Sequence, residues 1–293
     1  MGPIVVEVIR GAVVEARHRV HAVAVSEGTV VAQVGDPALV TWLRSAAKPL
    51  QALPIVRARR DLTDAEVAIV CASHRARPEQ LEVVRSLLAK AGATEDDLAC
   101  GRPPRRIEHD CSGKHAGMLA LCAAAGWSKE GFERRDHPCQ RAMLAEVAAA
   151  TGALPEEIPT ASDGCGVLTY AFALERIAAA FSRFHTLDGA LAVTRAMVAH
   201  PELVRGRGAA DTVLMQAHRG WIAKGGAEGL LVAASPDGLG LALKVEDGAG
   251  RAVGPALAAF LSRLGLPLPA LERAPVETSR GEAVGQIRVS PSP

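Results

Sequence analysis

Ser45 and Lys48 stand three residues apart in Arg44-Ser45-Ala46-Ala47-Lys48-Pro49, so one helical turn would set both side chains on one face. A serine hydroxyl is a weak nucleophile until a base removes its proton. A lysine amine can be that base only if burial or a nearby cation keeps it neutral. Cys71-Ala72-Ser73-His74 offers a second hydroxyl, Ser73, with His74 as an imidazole base, although adjacent residues point their side chains apart. In Trp221-Ile222-Ala223-Lys224-Gly225-Gly226, a plausible strand, the glycines would let a ligand approach backbone N–H groups. Lys224 could also keep Lys48 neutral by cationic repulsion. The plainer alternatives are a helix-cap serine with a surface lysine, a helix-terminal cap, and a β-turn with a solvent lysine.

A different chemistry is suggested by His109-Asp110-Cys111-Ser112-Gly113-Lys114-His115 together with Asp163-Gly164-Cys165-Gly166. Two thiolates, a nitrogen and a water would satisfy zinc. His109 and His115 are ordinary nitrogen donors. Lys114 shares a face with Cys111 if a helix begins there, but it must be neutral to bind. The paired Cys-x-x-Cys spacing of a strong zinc motif is missing, and buried free thiols beside a tight turn are the alternative. Gly113-Lys114 lacks the surroundings of a nucleotide-binding loop.

These groups need a scaffold. Residues 3–35 alternate as strands, with a turn at Ser26-Glu27-Gly28. A helix is expected over 44–56, with Pro49 in its first turn, and another opens at the capping-box spacing Thr63-Asp64-Ala65-Glu66. Further helices are expected at 77–91, 114–125, 138–150, 168–181, 187–199 and 253–264. Strands are expected at 230–234 and 239–245, around Pro236-Asp237-Gly238, whereas 100–110 and 267–293 read as loop-rich. Strands first, helices in the middle, then strands with a helix imply an α+β fold, one antiparallel sheet built from both ends of the chain with a helical region inserted. The whole chain, 1–293, reads as a single catalytic unit, sheet-rich over 1–60 plus 216–293 and helix-rich over 61–215.

Composition narrows the function. Hydrophobic residues make up 49% of the chain and charged residues 22%, which excludes a wholly disordered protein. Aromatics are 3% and the formal net charge is +1, so no nucleic-acid partner is expected. Six cysteines are too few for a disulfide scaffold. With no uninterrupted run of eighteen apolar residues and no secretory pattern at the start, the expectation is a cytoplasmic protein without a membrane partner.

Eight blocks in order resemble the rhizobial-type, thermolabile L-asparaginase II family: RSAAKPLQALP (44–54), CASH (71–74), DCSGKHAGML (110–119), DGCG (163–166), HPELV (200–204), DTVLM (211–215), KGGAEG (224–229) and KVEDGAGRA (244–252). The resemblance implies a serine β-lactamase or penicillin-binding transpeptidase-like fold. It also implies two Ser–Lys pairs, Ser45 with Lys48 and Ser73 with Lys224, and a zinc ion held by Cys111, Lys114 and Cys165 that supports substrate binding rather than chemistry. Asp163, His74 and Gly225 would bind or orient substrate. The implied protein is a homodimer whose partner is a small amino-acid substrate. Its reaction would be hydrolysis of L-asparagine to L-aspartate and ammonia, with Ser45 the preferred nucleophile and Ser73 the alternative, Lys48 taking the Ser45 proton, and Ser73 and Lys224 either relaying protons or holding Lys48 neutral.

The chain departs from the family pattern in several places. The stretch from Cys100 to His109 is short, Asp110 stands where Asn is common, and Ala209 stands where an arginine is usual. Arg205 or Arg207 could replace that arginine as an anchor for substrate carboxylate or for a neighbouring loop. A glutaminase, another Ser-x-x-Lys amidohydrolase, or a non-catalytic binding protein on the same scaffold are the competing functions.

Overall fold

The computed structural model describes residues 1–291. Its strands are β1 (Ile4–Arg10), β2 (Val13–Ser26), β3 (Thr29–Val34), β4 (Val40–Trp42), β5 (Thr160–Ser162), β6 (Leu168–Ala173), β7 (Ile222–Gly225), β8 (Leu230–Ala234), β9 (Leu239–Val245), β10 (Arg273–Glu277) and β11 (Ala283–Val289). Its helices are α1 (Lys48–Ala58), α2 (Asp64–Val70), α3 (Pro78–Lys90), α4 (Ser112–Ala125), α5 (Pro138–Thr151), α6 (Leu174–Ser182), α7 (Ala190–Ala199), α8 (Pro201–Val204), α9 (Ala210–Ala217) and α10 (Val253–Arg263).

The main sheet is antiparallel in the order β10-β11-β1-β2-β9-β8-β7, with β3 paired to the C-terminal half of β2. Strands from both ends of the chain therefore meet in one sheet, and the helices between β4 and β7 form the inserted region, as the α+β expectation requires. β8 is buried along its length, as is nearly all of β9, which suits the unbroken apolar sequence of β8 and the mostly apolar one of β9. α6 packs on β9 and β2, and α10 packs on β11, β1 and β9. With few aromatics, the core is mostly Ala, Val and Leu, and close approach takes the place of bulk. At Gly113 a Cβ would lie 2.1 Å from the Ile69 carbonyl oxygen, so only glycine lets α4 pack so tightly on α2.

Two expectations fail. The segment 168–181 is not one helix: Leu168–Ala173 is β6, and α6 begins at Leu174. β6 is buried almost throughout, and a short apolar run covered on all sides carries no period that separates strand from helix. Thr169, Tyr170 and Phe172 are strand-favouring residues that tip the balance. The tail is not loop-rich either, since β10 and β11 form a hairpin on the edge of β1. β10 alternates exposed and half-buried residues and carries Pro275, which an edge strand tolerates. The last two residues of that tail lie outside the described residues. The helix expected over 44–56 divides into a 3-10 turn, Arg44–Ala47, and α1, with Pro49 in the first turn of α1 as expected.

Candidate active site

Three chain segments converge. The first is the 3-10 turn that enters α1. β4 pairs with β6, which draws Leu43 N–H onto the Tyr170 carbonyl at 2.8 Å and Arg44 N–H onto Thr169 Oγ1 at 2.9 Å. The strand missed in the sequence is thus what positions Ser45. The second is the turn after α2, where Ser73 N–H donates to the Val204 carbonyl at 2.8 Å. The third is β7, whose last residue, Gly225, donates its N–H to Asp211 Oδ2 at 2.9 Å.

Backbone strain gathers at these segments. Non-glycine residues with positive φ are Arg44 (47°), Ala76 (52°) and Glu228 (56°), one beside each site segment, besides Glu27 in the β2–β3 turn. Such backbone costs free energy and persists only where surrounding contacts enforce it. At Arg44 the enforcing contacts are the Thr169 hydroxyl and an ion pair to Asp163.

Ser73 lies between two lysines. Lys48 Nζ donates to the Ala72 carbonyl and is 3.1 Å from Ser73 Oγ, and Lys224 Nζ is 2.9 Å from the same oxygen and 2.6 Å from the Gly225 carbonyl. Both lysines are buried, so the alternatives of a surface or solvent lysine fall away. Burial, reinforced by the Lys48 charge, lowers the Lys224 amine to about 7. The sequence argument had Lys224 suppressing Lys48; the electrostatics place the lowered amine at Lys224. Ser45 is 9% exposed, and its hydroxyl makes no hydrogen bond among the described residues. The structure therefore joins Lys48 to Ser73, not to Ser45.

His74 does not face Ser73. Its Nδ1 accepts the Ala76 N–H at 3.1 Å, which leaves the proton on Nε2, 2.7 Å from Ser112 Oγ. Burial, with the Lys48 charge, lowers it to about 4, so it stays neutral. Its work is to fasten the Ser73 turn to α4. Asp163 is committed to Arg44, to the Gly164 N–H at 2.8 Å and to the Cys165 thiol at 3.9 Å.

A thiol cluster stands at the start of α4. Lys114 Nζ is 3.0 Å from Cys165 Sγ, and Cys111 and Cys165 act on each other's titration. Burial alone would lower the buried Lys114, but the charges of Cys111 and Cys165 outweigh it and raise the amine. Cys111 is lowered by its interaction with Cys165 and by the Lys48 and Lys114 charges, although burial opposes this. His109, Asp110 and Cys111 also place one donor atom each within 4.8 Å of one another, so a metal-capable cluster is present. His115 is outside that group: both its ring nitrogens are enclosed without a partner, and its ring meets Phe132 edge-on.

The family model for L-asparaginase II matches residues 6–289. The chain belongs to the L-asparaginase II family. It is accordingly an amidohydrolase of the Ser-x-x-Lys type. Among solved structures, a β-lactamase from Mycobacterium bovis is similar at 19% identity and a TM-score of 0.37, covering 83% of this chain and 94% of its own. SurE is similar at 17% identity and a TM-score of 0.41, covering 88% and 75%. Among curated proteins the chain has no significant match. No helix among the described residues is long and apolar enough to cross a membrane.

Sequence reasoning overlooked Arg44, Thr169 and Asp211 as parts of this candidate site. Arg44 and Asp211 lie within the resembling blocks, adjoining Ser45 and opening DTVLM, which was the available signal. Thr169 had none, because its role depends on a strand that the sequence did not reveal.

Proposed function

We propose that this protein hydrolyses L-asparagine to L-aspartate and ammonia through Ser45, with Lys48, Ser73 and Lys224 moving the proton. The observation that carries the reading is the single hydroxyl held between two buried lysine amines, one of them lowered to about 7. A neutral amine can accept a proton near neutral pH, and a hydroxyl touching both amines can pass it between them. Ser73 is engaged on both sides. Ser45 has no internal partner, follows the strained Arg44, and stands one turn from Lys48. Substrate must reach the attacking oxygen, and Ser45 is the hydroxyl left for it. Lys48 passes a proton through Ser73 to the neutral Lys224 and then takes the Ser45 proton as the acyl bond forms, the departing ammonia is protonated from the same amines, and water cleaves the β-aspartyl ester. Asp163 acts by holding Arg44 in place. Gly225 leaves the end of β7 without a side chain.

The donor set fits zinc: a thiol with an amine against it, and a second thiol with an imidazole and a carboxylate beside it. Cys111, Lys114 and Cys165 would hold the ion, with His109 at hand. Bound there, it would polarise or anchor the substrate. The same reading carries a cytoplasmic homodimer.

A second reading makes Ser73 the nucleophile, favoured by its direct contacts with both amines. Ammonia release and the mass of the trapped acyl-enzyme decide between them. Ser45→Ala is expected to abolish the acyl adduct, and Ser73→Ala to slow release about 10²–10⁴-fold while still acylating Ser45. An adduct on Ser73 would establish the second reading. Turnover of glutamine but not asparagine would reassign the substrate, and no turnover of either would end the hydrolase proposal.

A further inference from the structure

A cavity of about 430 Å³ opens between the end of β7, the start of α9, the start of α10 and β10. None of Ser45, Lys48, Ser73 and Lys224 lines it. Four arginines do, Arg75, Arg205, Arg251 and Arg273, against one acid, Asp211. The Asp211 carboxylate is already engaged, because it accepts the N–H groups of Gly225 and Thr212 at 2.9 and 3.0 Å. Four cations against one anion leave the wall strongly positive, in a chain whose formal net charge is only +1.

These guanidiniums are under-used by the protein itself. Arg207, outside the cavity, is exposed and pairs with Glu202 at 2.9 Å. Arg205 is half-buried and Arg75 exposed, and neither side chain has a hydrogen bond or ion pair among the described residues. Arg205 lies across the end of β7, where a Cβ on Gly225 would meet its Nη1 at 2.8 Å. Arg75 leans over Gly206. Arg251 donates from Nε to His18 Nε2 at 3.0 Å, and Arg273 reaches Gln286 at 3.5 Å, the outer limit of a hydrogen bond. Like charges gathered around one space repel, and an anion among them relieves that repulsion.

Glycines that packing does not require border the same space. Gly254 is the second residue of α10, and a Cβ there would come no closer than 3.6 Å to Leu271, an ordinary contact. At Gly250 a Cβ would meet nothing within 4 Å. Glycine in a helix costs stability relative to alanine, and the room it leaves here belongs to the cavity. A phosphoryl group offers three oxygens and up to two charges, which guanidiniums take in pairs. Leu230, Leu231 and Leu271 give an apolar side to the same space, suited to an organic body that carries the phosphate.

We propose that this cavity binds a phosphorylated small molecule, at a site separate from the hydrolytic centre. Calorimetric titration of the full chain with inorganic pyrophosphate tests it. Pyrophosphate is expected to bind wild type, to bind about tenfold or more weakly to Arg205→Ala and Arg75→Ala, as loss of a charged hydrogen bond dictates, and to bind Arg207→Ala as it binds wild type. Gly254→Leu fills the space without changing charge. It is expected to abolish binding while keeping the thermal midpoint of wild type, which separates occlusion from unfolding. Saturating L-aspartate should leave the pyrophosphate affinity unchanged. No binding to wild type, or equal affinity in wild type, Arg205→Ala and Gly254→Leu, overturns the site. Tighter binding of citrate than of pyrophosphate overturns the phosphate assignment, and competition with L-aspartate would make the cavity part of the substrate site. Binding is read without turnover, so the result stands whichever amide the enzyme hydrolyses.

Discussion

Two buried lysines in this molecule have opposite electrostatics. Lys224 touches a hydroxyl and shares it with Lys48, and its amine falls to about 7. Lys114 touches a thiol within a cluster of two thiols and Asp163, and its amine is raised. Burial is complete at both, so desolvation pulls both down. The sign of the neighbouring charge makes the difference: a cation adds to desolvation, and the negative charge of the thiol cluster and Asp163 overcomes it. One scaffold thereby supplies an amine ready to take a proton and, close by, an electron-rich cluster suited to a cation.

The largest expected contrast is in turnover. Lys224→Met and Lys48→Met should each lower kcat by about 10²–10⁴, the span of general acid–base catalysis. Lys114→Met should act chiefly on KM. Steady-state kinetics on the three variants would break the comparison if Lys114→Met lost as much kcat as Lys224→Met.

The pH dependence comes next. Lys224 must be neutral to accept a proton, so kcat/KM should fall as pH drops below about 7. Lys48→Met removes the cation that assists burial, so Lys224 binds its proton more tightly and the limb should move to higher pH in the residual activity. A limb that stays put would assign it to another group.

Metal content follows. Elemental analysis should find zinc in purified wild type and about tenfold less in the Cys111→Ala, Cys165→Ala double variant. Equal content in both would remove the cluster as the metal site.

The smallest effect is on stability. Between about 7 and the 10.5 of an unperturbed lysine, the unfolded chain holds a proton on residue 224 that the folded chain does not. Stability from this group therefore rises with pH across that window. Lys224→Met should erase the slope and raise the thermal midpoint at neutral pH by roughly 2–4 °C, as relief of about 1 kcal/mol does in a domain of this kind. Thermal melts at pH 7 and 9.5 would show it, and an unchanged slope would place the lowered amine elsewhere.

Local signals were legible where the chain itself closes the contact. The Thr63–Glu66 box forms as its spacing demands, with Glu66 N–H on Thr63 Oγ1 at 3.3 Å and Thr63 N–H on Glu66 Oε2 at 2.7 Å. The helix expected over 77–91 is observed at Pro78–Lys90, with Gly92 just beyond it at positive φ. β6 and the β10–β11 hairpin were hidden because each depends on strands far away in the chain. β6 pairs with β4 and β5, and β11 joins β1 across most of the sequence.

Residue type and order by themselves determined the chemistry on offer: two serines, two lysines to deprotonate them, and two cysteines beside a third lysine, all in the sequence of blocks that marks the family. Which hydroxyl each amine touches, which lysine loses its charge, and which of two near-adjacent arginines lies over Gly225 were decided only when the chain folded. Those properties depend on distance, burial and the sign of neighbouring charges, and groups 24 to 151 residues apart acquire them together through packing alone.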